Sequence, residues 1–306
     1  MATKMLRHLL VIGAVLGGSA QLASAQSAPS KLTIGIYAPT VEFQTATARL
    51  AYVQGLAKAI EQSTGIKTEA QSYASLAALK KDNVDYAIVD GPCYATNLGW
   101  RLLANASIGG STTRTWALYS SVGDSMQALK GKKLAYIQMG CNDDGFVNNA
   151  MLESEVDNGF FGARTGERDL TGAVAAVASY KSAQAVFAPS GAAKGLTKVF
   201  DTAAVPNPAF VEIASKANGT VTEKVAAAVV GYGGAGAISG WSRPSKDPYQ
   251  AFAGRLGPVR KSGMFASPEP VRISSQEVLI DPSTLKDPAF VPVRHHFQRA
   301  PNARMD

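Results

Sequence analysis

Residues 76–95 read LAALKKDNVDYAIVDGPCYA, and this stretch changes character halfway along. Leu76, Leu79 and Lys80 fall at helical spacing, and Lys80-Lys81-Asp82-Asn83 closes that helix. Residues 84–89 are apolar apart from Asp85 and favour a strand. Asp90-Gly91-Pro92 stops the strand, because proline has no amide to donate and glycine permits a sharp turn. A helix therefore feeds a short buried strand, which delivers Asp90, Gly91, Cys93 and Tyr94 at its carboxyl end. In open α/β sheets ligands bind outside the carboxyl ends of strands. The loop reads as one wall of a ligand cleft.

Upstream, residues 31–37 (KLTIGIY) form a first strand, and 45–63 a helix with Leu50, Val53, Leu56, Ala57 and Ile60 on one face. A second strand over 66–73 and a helix over 74–81 complete a β-α-β-α-β order, which implies a parallel, helix-covered sheet. Downstream, 96–104 reads as a short helix and 115–121 as a strand leading into a second lobe. Residues 134–139 (LAYIQM) form a buried strand, broken at 140–145 and followed by a helix over 146–155 with Asn142 or Asp143 as its cap. A Gly-rich connector covers 158–168, then a helix 170–179, a strand 184–188 and a further strand 199–205. Pro206-Asn207-Pro208 marks a crossing back, before a strand over 209–215 and a helix over 222–230. The glycine-dense 231–240 reads as a loop. Residues 261–306 form an extension with one strand, 271–280.

Residues 1–25 have the form of an export signal: Lys4 and Arg7, an apolar run over 9–16, and Ala23-Ser24-Ala25 as the cleavage site. The run falls short of the roughly 20 residues a membrane span requires. A soluble periplasmic protein is expected. Without the signal, 28 basic residues face 23 acidic ones, and no stretch interleaves basic with aromatic residues as a nucleic-acid surface would. After the signal, histidine is confined to His295 and His296, so Ser-His or Cys-His nucleophile activation has no partner in the core and no enzyme is expected. No metal and no cofactor is called for. The two cysteines, Cys93 and Cys141, leave three readings open: a disulfide, inert buried thiols, or a soft-metal pair. A disulfide would tie the lobes and oppose binding and release, so free or ligand-adjacent thiols are the expected state.

The order of signal, KLTIGIY, a long first helix, NVDYAIVDGPCYA, LKGKKLAYIQ, SAQAVFAPS and PNPAFVEIASKANGTVTEKV resembles the periplasmic solute-binding proteins of ABC importers with the type II fold, nearest their phosphate/phosphite/phosphonate-binding branch. The resemblance implies two α/β lobes around an interlobe cleft. Lobe one would comprise 31–112 with 208–260, and lobe two 113–207. It also implies a monomer that captures a small-molecule ligand and delivers it to an inner-membrane ABC permease, without nucleic acid. The alternative is a non-transport carrier or sensor of an apolar, lipid-like ligand.

The expected ligand-binding residues are Tyr37, Phe43, Asp90 and Tyr94 on one wall, and Trp116, Gln138, Asn142, Asp143, Tyr180 and Ser190 on the other. One departure bears on the ligand. The helix start that suits an anion reads Gly140-Cys141-Asn142-Asp143-Asp144, and its two carboxylates oppose an oxyanion. A neutral, apolar or cationic ligand is expected instead.

Overall fold

The computed structural model describes residues 29–157, 159–234 and 236–257. The expected export signal, the expected extension over 261–306 with the strand expected at 271–280, and His295 and His296 lie outside the described residues. Among the described residues no helix is long and apolar enough to cross a membrane.

The chain begins with β1 (Lys31–Tyr37), whose Leu32, Ile34 and Ile36 are buried. Helix α1 (Ala46–Thr64) starts where the Thr45 hydroxyl accepts from the Ala48 amide at 3.0 Å, and ends at Gly65, whose φ of 72° suits a residue without a side chain. Strand β2 (Lys67–Ser72), helix α2 (Leu76–Lys81) and strand β3 (Tyr86–Val89) follow. The opening stretch thus folds as its two halves imply, with all four β3 residues buried. Short α3 (Gly91–Ala95) takes the place of a plain turn, with Pro92 in its first turn where a missing amide costs nothing.

Strand β4 (Arg101–Ser107) corrects the helix expected over 96–104. Leu102 to Ala106 are buried without alternation because β4 lies between two partners distant in sequence, β10 (Ala209–Glu212) and β11 (Gly240–Ser242). The first sheet runs β11-β4-β10-β3-β1-β2. Strands β1, β2 and β3 are mutually parallel, and β10 runs antiparallel to both β3 and β4.

The second sheet runs β7-β6-β8-β5-β9, from β5 (Thr113–Ser120), β6 (Lys133–Ile137), β7 (Ala163–Glu167), β8 (Ala185–Pro189) and β9 (Thr197–Pro206). Short α4 (Met126–Leu129) precedes β6, and α5 (Leu170–Ala178) joins β7 to β8. Strand β7 occupies part of the expected connector; it is an edge strand paired only with β6, and most of its residues are exposed. The helix expected over 146–155 is a π-helix, Gly145–Met151. Helix α6 (Gly219–Val230) packs on α1, and α7 (Asp247–Leu256) packs on both α3 and the π-helix. The two-sheet α/β architecture is the expected fold class.

Two crossings join the sheets, β4 to β5 and β9 to β10. Buried Asn207 fastens one to the other: its side-chain amide donates to the Ser111 carbonyl at 2.7 Å, and its backbone amide to the Thr112 carbonyl at 2.9 Å. Gly91 lies flat against this junction, where a Cβ would collide with the Pro206 carbonyl and crowd that of Asn207. Gly91→Ala should therefore lose about 1–3 kcal/mol of stability in urea unfolding, because the obstacle is backbone and cannot rotate aside.

Candidate functional site

The carboxyl ends of β1 and β3 in the first sheet and of β6 in the second meet at one seam. At its base lies a buried polar relay. Thr40, in the loop after β1, donates to Asp90 twice, from its amide and its hydroxyl, each at 2.7 Å. Arg114 at the start of β5 donates to the Thr40 hydroxyl and carbonyl at 3.3 Å, and to the Asn207 side chain at 2.7 Å. Both Thr40 and Asp90 are fully buried. Burial raises the Asp90 carboxyl above its ordinary range, against the opposing pull of the Thr40 hydrogen bonds and the Arg114 charge. Burial likewise lowers the Arg114 guanidinium, and Asp90 and Glu42 pull it back. The relay thus links β1, β3 and both crossings through one set of polar groups.

Further along the seam, the Tyr37 hydroxyl donates to the Met139 carbonyl at 2.9 Å, across the two sheets. Burial, with Asp90 and Asp143 nearby, raises that phenol far above its ordinary range and keeps it a donor. The Leu170 amide, at the start of α5, donates to the Pro39 carbonyl at 2.9 Å. Cys93 of α3 and Cys141 after β6 form a disulfide with Cα atoms 5.1 Å apart. This corrects the expected free thiols: the two loops that present Asp90 and Asn142 are covalently joined.

The acidic loop is satisfied from within. Asp143 accepts from the amides of Met139 and Gly140 at 3.0 Å, while the Asn142 side chain accepts from the Gly145 amide at 3.1 Å. Asn142, with φ of 68°, therefore takes the capping role at the π-helix, and Asp143 folds back onto the strand end. Asp169 similarly accepts from the Gly172 amide at 2.9 Å at the start of α5. Two sets of backbone donors facing the seam from the second lobe are thus already engaged by the chain's own carboxylates.

Residues of both lobes, among them Phe43, Thr45, Arg49, Asp169 and Thr171, line a cavity of about 60 Å³ at the mouth of the seam. That is room for a few water molecules. On the outer side of the first lobe, a larger open groove of about 540 Å³ runs between α6 and β4, walled by Leu102, Leu103, Ala226 and Val230, with Arg101, Glu223 and Arg243 at its rim.

The expected site residues divide accordingly. Tyr37, Phe43, Asp90 and Asp143 gather at the seam, and Asn142 joins them through the disulfide loop. Tyr94 is buried edge-on to Tyr249 at 4.7 Å, and Trp116 edge-on to Phe146 at 5.6 Å, both in the apolar interior. Gln138 is exposed over Gly166 beside the β7 edge. Ser190 is exposed after β8, and Tyr180, after α5, is 76% exposed. The sequence analysis does not single out Thr40 or Arg114, and it marks Asn207 only as part of a crossing. Arg114 carried the one available signal, a lone charge at the start of an otherwise uncharged strand.

Among the described residues no group of three His, Cys, Asp or Glu side chains is arranged to hold a metal ion. No family model matches the chain, and no curated protein matches it in sequence. Solved structures do match. A binding-protein component of an ABC phosphonate transporter from Pseudomonas aeruginosa superposes with a TM-score of 0.57 at 14% identity, covering 75% of this chain and 88% of the other. PhnD1 from Prochlorococcus marinus, in complex with methylphosphonate, gives 0.57 at 10% identity, covering 74% and 97%. A Xanthomonas citri protein bound to ATP gives 0.54 at 13% identity, covering 74% and 97%. At these identities the likeness is one of fold, and the fold is the two-lobed type II arrangement of periplasmic binding proteins.

Proposed function

We propose that the chain is a periplasmic solute-binding protein that captures a small ligand between its two lobes and hands it to an inner-membrane ABC permease. The observation that carries this reading is the convergence of strand ends from both sheets on one seam lined by polar groups. Binding, not turnover, is the role such a seam supports, because it presents hydrogen-bonding groups and no activated nucleophile. The seam is closed in this structure, so the ligand enters a more open arrangement of the same two lobes.

The ligand is proposed to be neutral or cationic. Asp143 engages the Met139 and Gly140 amides, and Asp169 engages the Gly172 amide. An incoming phosphonate would have to displace a carboxylate that already makes those hydrogen bonds. Calorimetric titration of a C93S/C141S variant, whose two loops are not covalently tied, with methylphosphonate should accordingly give no binding heat up to millimolar concentration; saturable micromolar binding would overturn the ligand class. Native mass spectrometry of protein purified from its own periplasm should show a mass adduct released on denaturation.

A second reading, a non-transport carrier of an apolar molecule, draws on the 540 Å³ groove with its leucine and alanine walls. An adduct that extracts into organic solvent and survives substitution at the seam would favour it.

A further inference from the structure

We propose that the Cys93–Cys141 disulfide is a redox latch across the two lobes: intact, it holds the seam shut, and its reduction to two thiols frees the lobes to part. The bond joins α3, which follows a strand of the first sheet, to the loop after β6 of the second sheet. A disulfide confined to one lobe would strengthen that lobe. This one restrains the motion of one lobe against the other.

The restraint is tight. The Cα atoms stand 5.1 Å apart, and a disulfide accommodates at most about 6.8 Å. The linked loops can therefore separate by less than about 2 Å while the bond lasts. The other ties across the seam are non-covalent and break and re-form reversibly: hydrogen bonds from Tyr37 to Met139, Leu170 to Pro39, Arg114 to Thr40, and Asn142 and Asn149 to Leu256, with the packing of α7 on the π-helix. Tyr37 bonds to a residue two positions from Cys141, so that contact shares the restraint directly. What distinguishes a permanently closed seam from a breathing one is the covalent bond.

The chain has two cysteines in all, so the pair has no third thiol with which to reshuffle. Cys93 is fully buried, and Cys141 is 5% exposed. An exported dithiol reductant would attack the sulfur of Cys141, the less deeply buried residue of the two. The sulfur–sulfur bond breaks and Cys93 leaves as a thiolate, which takes up a proton. The second thiol of the reductant then displaces Cys141 from the mixed disulfide, releasing it as a thiol. Two electrons and two protons pass to this chain, and the reductant ends as a disulfide.

The inference rests on the solute-binding reading only for what the opening serves; the latch itself is tested without any ligand. The Leu170 amide is the reporter, since its hydrogen bond crosses between the lobes. Hydrogen–deuterium exchange is followed on three samples: the oxidised full chain, the same chain reduced with dithiothreitol, and a C93S/C141S variant. The expected result is that exchange at Leu170 accelerates at least about tenfold in the reduced chain and in the variant, both of which lack the disulfide, while β3 and β8 amides keep their protection. Unchanged exchange at Leu170 with intact sheets would overturn the latch, and so would loss of protection throughout both sheets, which would make the bond a staple of the whole fold. Failure to find any ligand would weaken the solute-binding reading and leave this result standing.

Discussion

Asp90→Ala should lose about 3 kcal/mol of folding stability, read as a shift of the urea midpoint with an unchanged slope. Asp90 is fully buried and accepts both donors of Thr40, itself fully buried. Without the carboxylate, the Thr40 amide has no acceptor there, and the Arg114 guanidinium loses its counter-charge. An unpaired buried donor and an uncompensated charge are among the costliest defects a fold can carry. The loss sits near the lower end of the range for broken buried pairs because Arg114 is only partly shielded from water. The same residue sets a pH dependence. Its folded pKa is raised by burial above the unfolded value of about 3.9. Between those two values the native state holds more protons than the unfolded chain. Its stabilising contribution is complete below the unfolded pKa and is lost as pH rises through the folded one. Asp90→Asn should flatten that fall, and parallel stability curves for the two proteins would refute it.

Phe146→Ala carries a comparable effect for an apolar reason. The Phe146 ring is 1% exposed, 5.6 Å from Trp116 in β5 and 6.2 Å from Phe252 in α7. It joins the second sheet, the π-helix and the helix that also packs on α3. Truncation removes the transfer free energy of the ring and leaves a cavity that its rigid aromatic neighbours cannot fill, for about 3–5 kcal/mol. For a domain of this size that lowers the melting temperature by about 10 °C. Tyr180→Ala, at a 76% exposed position, should stay within about 0.5 kcal/mol of wild type in the same assay and leave ligand binding unchanged.

These effects also mark how far the sequence could be read. Strand β3 and its stop at Asp90-Gly91-Pro92 were legible because an apolar run and a proline act within a few residues. Helix α1 was legible for the same reason, from five apolar residues on one face. Strand β4 was not: its unbroken Leu-Leu-Ala run fits a buried helix as well as a buried strand, and β10 and β11, more than a hundred residues away, decide between them. Strand β7 was hidden because its few apolar residues show no alternation and its only partner is β6.

The candidate site divides along the same line. Tyr37, Phe43, Asp90 and Asp143 could be named in advance because each follows or ends a recognisable strand, and strand ends converge in this class of sheet. Thr40, Arg114 and Asn207 could not, since a relay of hydrogen bonds depends on distances of about 3 Å between segments 50 to 93 residues apart.

Local sequence determined the alternation of strands and helices, the stops between them, and hence the α/β class, because those signals are carried by neighbouring residues. Tertiary structure alone decided that Cys93 and Cys141 are bonded, and that Tyr94 and Trp116 turn inward. Each of those outcomes is settled by which surfaces meet when elements distant in the sequence pack together, and that free energy is not contained in any short stretch of the chain.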